Sequence, residues 1–341
     1  MSLASLLAAV EARYDIGPIV ASRPLEGGEW KTLYRIEAAR GAFVVSLTHP
    51  LAVTEGVAWE HAFLHHVSSR LPVVPAPIAS VAGNTFFMHD GHIVSLLPFM
   101  PGEIVDAEHI RLPAAQLLAQ FHTVSLAYPG HASRPGIPSL RVWDWHSNHA
   151  WHWPDVDALL CSTPDTAPRF WHEGGAYTAQ IVARRVQIAE GRAHCERWVA
   201  QLASSKRPLA HGVIHDDFYK RNLLVRDGRI TALLDWDGCH PDWLMMDLSN
   251  AAWAFCDRDD EHTLDVDAAR SFVESYLDAG GPIQCSELDL LVPFIRFRRV
   301  LETLSGLQNV VNGEQWDEGF GEYELHTLLA LENLRDLTLH V

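Results

Sequence analysis

The stretch GVIHDDFYKRNLLVRDGRITALLDWDG, residues 212–238, sets His215, Asp216, Asp217, Lys220, Arg221, Asn222, Asp235 and Asp237 among runs of Leu, Ile and Val. Charged side chains are seldom fully buried unless paired or bound to a metal. So many in so apolar a run mark a site. Asp217 and Asn222 stand in D-x-x-x-x-N, and Asp235 follows thirteen residues after Asn222. NLLV and ITALL between them read as two short strands joined by the turn RDGR. The strand ends of that hairpin are expected to gather Asp217, Asn222 and Asp235 around one point. Two such oxygen donors suit Mg²⁺, a hard cation that keeps waters and phosphate oxygens as its other ligands. A carboxylate outside the metal's shell can orient a hydroxyl and accept its proton. Phosphoryl transfer is mostly positioning and charge neutralisation, so this small set is sufficient for it.

Toward the N-terminus the chain is strand-rich. PIVASR, TLYRIEA and AFVVSLT are β-branched or aromatic runs separated by Gly-containing turns, which signals a meander. Over residues 54–70 the spacing becomes helical, with Val57, Phe63, Leu64 and Val67 on one stripe. LPVVPAP ends that helix, because Pro cannot continue one. HDGH is a two-residue hairpin signal between apolar strands, and PFMPGE, residues 98–103, reads as a hinge. Beyond it LPAAQLLAQFHTVS, SFVESYLDAG, LDLLVPFIRFRRVLETLSGL and YELHTLLALENLRDL are helices. The expected class is α+β, with a small β-rich lobe over residues 1–100. A mainly helical lobe over 101–341 holds the polar hairpin.

Composition narrows the possible roles. The 341 residues are 48% hydrophobic and 20% charged, as in ordinary globular proteins. No apolar run reaches the length of a membrane span. The opening MSLASLLAAVEARYDIG lacks a basic leading region, and its Glu11 and Arg13 fit an amphipathic helix better than a signal peptide. Five cysteines without a CxxC pair point to free thiols and a cytoplasmic location. The formal net charge of −17 offers no basic face for nucleic acid, so neither nucleic acid nor membrane is expected as a partner. An acidic surface does tolerate cationic small molecules. Only three lysines occur, Lys31, Lys206 and Lys220.

HDDFYKRN followed by LLDWD resembles the catalytic loop and metal-binding segment of the aminoglycoside phosphotransferase and choline kinase-like family, which includes homoserine kinase-like members. MMDLSNAAW resembles that family's downstream D-L-A segment, and LLAQFH its helix ending in L-H. LEGGEWKTLYRIEAARGAFVVSLTHP resembles its first hairpin and third strand. The likeness covers roughly residues 20–260. It implies a two-lobed, protein kinase-like fold. It also implies transfer of the γ-phosphoryl of ATP or GTP, through Mg²⁺, to a hydroxyl of a polar or cationic acceptor such as an aminoglycoside, amino sugar or amino alcohol. On the resemblance, Asp217 is the catalytic base, Asn222 and Asp235 are metal ligands, and Lys220 neutralises the γ-phosphate. His215, Asp237 and Asp247 are structural at the site. The family loop reads H-G-D, and Asp216 replaces its Gly.

The pattern departs from the family at Ser46 in FVVSLTH, where the third strand normally carries a Lys or Arg for the nucleotide phosphates. Lys31 or Arg35 on the preceding strand is expected to replace it, since strand alternation puts both on one side with Leu33. If neither does, the rival reading is a catalytically weak pseudokinase serving as a nucleotide-binding or interaction module. Glu60, with Glu55 as its competitor, matches the helix Glu that pairs with the family lysine. Leu97 and Phe99 are the candidates to line the adenine. Residues 141–171 hold five of the 12 tryptophans, and Trp145 and Trp153 are candidate acceptor contacts by stacking or cation–π interaction. Asp242 and Trp243 are further acceptor candidates, or else begin a helix at HPDW with Asp as its cap. His146, His149 and His152 lack the Cys or carboxylate that would complete a zinc set. A two-metal phosphohydrolase built on His215 and the four aspartates is a second chemical reading, and a protein kinase, which needs an open peptide groove, a third.

Overall fold

The computed structural model describes residues 2–25, 31–49, 52–130, 133–137, 154–173, 175–258, 262–311 and 334. The described residues within 1–138, 211–241 and 279–281 form one compact unit, and those within 139–210, 242–278 and 282–341 a second.

The first unit opens with α1 (Leu3–Glu11), which buries Leu6 and Val10. These pack with Ile36, Val45, Leu47, Val94 and Leu96 of the sheet beside it. The sheet comprises β1 (Ile19–Leu25), β2 (Lys31–Ala38), β3 (Gly41–Thr48), β4 (Phe86–His89) and β5 (His92–Pro98), in the order β1-β2-β3-β5-β4. All neighbours run antiparallel. The HDGH signal is realised between β4 and β5. Asp90 and Gly91 take φ of 45° and 81°, the two positive values a tight hairpin turn requires.

Helix α2 (Thr54–Ser68) buries Val57, Phe63, Leu64 and Val67 as the stripe predicts, and also Glu60 and His61. Helix α3 (Ala107–Leu126) begins earlier than LPAAQLLAQFHTVS and carries Pro113 inside it. The missing N–H there is tolerated because Ile110 precedes it on the same buried face as Leu117, Leu118 and Phe121.

The polar hairpin is present as read. Strand β6 (His211–Ile214) leads into a 3₁₀ turn (Lys220–Asn222), then β7 (Leu223–Arg226) and β8 (Arg229–Leu233). Asp227 and Gly228 repeat the positive-φ pair at 53° and 70°. The hinge segment is pinned to this hairpin. Glu103 and Val225 exchange N–H···O bonds of 2.9 and 2.8 Å, and the Thr231 hydroxyl donates to the Pro101 carbonyl at 2.7 Å. HPDW is a buried strand, β9 (His240–Trp243), paired with β6, so the expectation of a helix start there is corrected. The Trp243 N–H bonds the Asp242 side chain at 2.7 Å, and α7 (Leu244–Cys256) begins only afterwards.

The second unit is helical, with α4 (Pro154–Leu160), α5 (Pro168–Glu173), α6 (Gly175–Ser204), α7, α8 (Val266–Asp278) and α9 (Leu291–Val311). Phe255 of α7 stacks on Phe272 of α8 at 5.7 Å, and Trp198 of α6 meets Phe294 of α9 edge-on at 5.0 Å. Apart from Leu334, the helix expected over YELHTLLALENLRDL lies outside the described residues. Among the described residues no helix is long and apolar enough to cross a membrane.

Candidate active site

His215 ties the two halves of the polar hairpin together. Its Nε2 donates to the Leu234 carbonyl at 3.0 Å, and its Nδ1 accepts the Asp217 N–H at 3.3 Å. Asp216 sits between them at φ 69°. Only Gly, and less readily Asn or Asp, adopts that backbone state at low cost, so an Asp in place of the family Gly keeps the loop geometry.

The Asn222 Nδ2 donates to both the backbone oxygen and the Oδ2 of Asp217, each at 2.8 Å. The Asn222 carbonyl accepts the Leu234 N–H at 2.8 Å. One asparagine therefore sets the Asp217 carboxylate with its side chain and delivers the chain to Asp235 with its backbone. Asp235 also has a positive φ, 60°. Such outliers persist where the surroundings over-determine them, and they cluster at active sites. The surroundings here include Trp236, a residue the motif left unmarked. Its indole N–H bonds the Leu233 carbonyl at 2.9 Å. Its ring packs on Phe63, Phe121 and His215, with centroids 6.0, 5.1 and 4.4 Å away.

Lys31, at the start of β2, lies 3.4 Å from the Glu60 carboxylate and pairs with Asp237. Burial pulls the ammonium's pKa down, but Glu60, Asp237 and Asp235 together outweigh it and hold the pKa above its ordinary value. Burial and the Asp237 carboxylate push Asp235 upward, against the pull of Lys31. Ser46 is buried on β3, and its hydroxyl has no hydrogen-bond partner among the described residues.

Arg35 faces other partners. Its guanidinium stacks 3.9 Å from the Phe99 ring and bonds Glu37 at 2.8 Å. Of the two basic residues on β2, the fold therefore brings Lys31, not Arg35, to the acidic cluster. Glu60 is the helix carboxylate turned inward, while Glu55 is exposed in the first turn. Leu97 pairs across the sheet with Val44, and Phe99 continues that edge by bonding the Ala42 carbonyl at 3.2 Å.

Arg134, which carried no signal in the sequence, is buried and bonds the second Glu60 oxygen at 2.7 Å. Lys220 is half-buried at the start of the 3₁₀ turn. Asp242, Trp243 and Asp247 are buried and belong to the second unit; Trp243 packs against Phe294. Trp145 and Trp153, with His146, His149 and His152, lie outside the described residues.

The donor set fits a hard divalent cation. The Asn222 amide nitrogen is committed to Asp217, which leaves its Oδ1 as the atom to offer a metal. Burial, and then the Asp237 carboxylate, raise the Asp235 carboxyl, and a cation beside it would favour its charged form. Among the described residues, no group of three or more His, Cys, Asp or Glu side chains is placed to hold a metal ion.

Comparison with known proteins gives the family. Residues 22–283 match the model of the phosphotransferase enzyme family. A homoserine kinase of Granulibacter bethesdensis is 24% identical over 275 residues, 79% of this chain and 75% of that protein. One from Acidiphilium cryptum is 22% identical over 309 residues, 90% of this chain and 86% of that protein. Among solved structures, a microcompartment-associated aminopropanol kinase superposes with a TM-score of 0.68 at 16% identity, covering 98% of this chain and 97% of that one. An amicoumacin kinase bound to AMP-PNP and Ca²⁺ gives 0.67 at 14% identity, covering 98% and 94%. The family match spans most of the chain, so this protein belongs to the phosphotransferase enzyme family and is a phosphotransferase that acts on an alcohol group.

Proposed function

We propose that this phosphotransferase moves the γ-phosphoryl of ATP or GTP, with Mg²⁺, onto the hydroxyl of a small amino alcohol. The observation that carries the nucleotide half is the Lys31 ammonium, set from β2 between Glu60 and Asp237 while β3 offers only Ser46 at the family's usual position. Ser46 by itself favours a nucleotide-binding module without catalysis; the placement of Lys31 favours the enzyme. The acceptor half rests on the relatives. Homoserine and aminopropanol each carry a hydroxyl and an amino group, and the net charge of −17 suits a cationic acceptor.

Asp217, held by the Asn222 amide, orients the acceptor hydroxyl and takes its proton as the new P–O bond forms. Asn222 Oδ1 and the Asp235 carboxylate would hold the metal. A bound divalent cation supplies charge neutralisation on the phosphates. Lys31 adds a fixed positive charge beside them, and Lys220 meets the negative charge that develops at the transferring group. The bond from the γ-phosphorus to the bridging oxygen breaks, and the nucleoside diphosphate leaves. Localisation in the cytoplasm and freedom from nucleic-acid or membrane partners belong to the same reading, on the ground of charge and thiol content.

The test is release of ADP or GDP with a panel of hydroxyl acceptors that includes homoserine, aminopropanol and aminoglycosides. Turnover is expected with an amino alcohol. Asp217→Asn is expected to reduce kcat by about 10²–10⁴, the span of general-base effects. Wild-type turnover in Asp217→Asn would remove Asp217 from the chemistry.

A further inference from the structure

Arg134 lies in the loop 133–137 that follows α3, outside every recognised motif, and is 8% exposed. Its Nη2 donates to Glu60 Oε2 at 2.7 Å. Its Nη1 donates to the backbone carbonyls of Asp237 and Cys239 at 2.8 and 2.7 Å, and lies 3.4 Å from those of Trp236 and from the Cys239 Sγ. The loop is seated on the first turn of α2. A Cβ added at Gly56 would come within 2.5 Å of the Pro135 carbonyl oxygen, so only glycine admits the approach. One guanidinium therefore joins the helix that presents Glu60 to the backbone immediately following Asp235.

The residue type matters. A planar fork of fixed donors can serve a carboxylate on one side and converging carbonyls on the other, which a single ammonium cannot do. In the family pattern the helix Glu pairs with the third-strand lysine. Here that strand has Ser46, and Glu60 instead stands between Lys31 at 3.4 Å and Arg134 at 2.7 Å. The more deeply buried and shorter pairing is to Arg134. One of the Arg134 carbonyl partners belongs to Asp237 itself, the residue whose carboxylate pairs with Lys31.

We propose that Arg134 is a positioning residue for the metal-binding segment. It fixes the backbone of residues 236–239 to α2, so that the Asp235 carboxylate and the Lys31 ammonium keep their places when metal and nucleotide bind. This rests on the reading of Asp235 as a metal ligand and Lys31 as the phosphate cation. Partners that orient a ligating group typically carry 10–100-fold of metal affinity or activity, by general experience with outer-shell residues.

The experiment is calorimetric titration of nucleotide, ATP and GTP in turn, at a series of Mg²⁺ concentrations. The proteins compared are wild type, Arg134→Met, Arg134→Lys and Asp235→Asn. The Mg²⁺ concentration for half-maximal nucleotide affinity is expected to rise about 10-fold or more in Arg134→Met and by a smaller factor in Arg134→Lys. A purely packing role would lower the melting temperature of both variants and leave that concentration unchanged in the folded protein, which overturns the proposal. Should Arg134→Met fail to fold, Arg134→Lys carries the comparison under the same criterion. Asp235→Asn separates the two claims. If Mg²⁺ dependence is lost there but unchanged in the Arg134 variants, the role of Arg134 falls and the reading of the site stands. If it survives in Asp235→Asn, that reading falls and Arg134 with it.

Discussion

Acidification should unseat α2 through His61. The imidazole is 5% exposed. Its Nδ1 is 2.9 Å from the Thr85 hydroxyl, its Nε2 is 3.5 Å from that of Ser95, and the Phe86 ring lies edge-on at 5.8 Å. Burial, and then the positive charges of Lys31, His65 and Arg134, lower its pKa from the usual 6.5 to about 3. The unfolded chain titrates near 6.5, so between those values the unfolded state binds the extra proton and the folded state does not. Stability therefore falls as pH falls through about 6.5, and keeps falling toward about 3. Each pH unit in that window costs about 1.4 kcal/mol, so His61 alone removes about 2 kcal/mol by pH 5. Other groups titrate over the same range, and His61→Asn, which keeps a donor for Thr85, cancels them. Urea unfolding of both proteins at pH 7 and pH 5 gives the double difference. The gap between them should move by about 2 kcal/mol in favour of the variant on acidification. Parallel losses in the two proteins would refute the neutral, buried histidine.

Two further outcomes follow from Ser46 and Gly102. Ser46→Ala removes a buried hydroxyl with no partner among the described residues, so melting should show stability unchanged or higher by about 1 kcal/mol. Nucleotide affinity should stay at the wild-type value, whereas a loss would give that hydroxyl a role. Gly102→Ala should cost at least about 2 kcal/mol in denaturant unfolding. Its φ is +155°, and a Cβ there would stand 2.7 Å from the Thr231 hydroxyl and 2.8 Å from the Leu224 Cβ.

Much of this arrangement was legible in the chain because it is local. Both D-G hairpins follow from residues that accept positive φ, and the α2 stripe from a 3.6-residue period. The bonds from Asn222 to Asp217, and from the Leu234 N–H beside Asp235 to the Asn222 carbonyl, follow from spacing that a short hairpin converts into proximity. The choice between Lys31 and Arg35 was not legible. Both sit on one face of β2, and only tertiary neighbours, Glu60 and Asp237 for one and Phe99 and Glu37 for the other, tell them apart. Arg134 was invisible because most of its acceptors are backbone carbonyls about a hundred residues away, which leave no side-chain signature. The strand at HPDW was missed because a capping Asp and a buried Asp look alike until the pairing with β6 is seen. Pro113 concealed the true start of α3, where burial of one helical face overrides a local breaker.

The most direct measurement is thermal unfolding with ATP or GTP, with and without Mg²⁺, on wild type, Lys31→Ala, Arg35→Ala and Asp235→Asn. A ligand that binds only the folded protein raises the midpoint by mass action, by RT ln(1 + [L]/Kd) in free energy. A Mg²⁺-dependent rise should appear in wild type and Arg35→Ala, shrink in Lys31→Ala and vanish in Asp235→Asn. An equal rise in all four proteins, or none in wild type with either nucleotide, would contradict a working nucleotide site whose phosphate cation comes from β2.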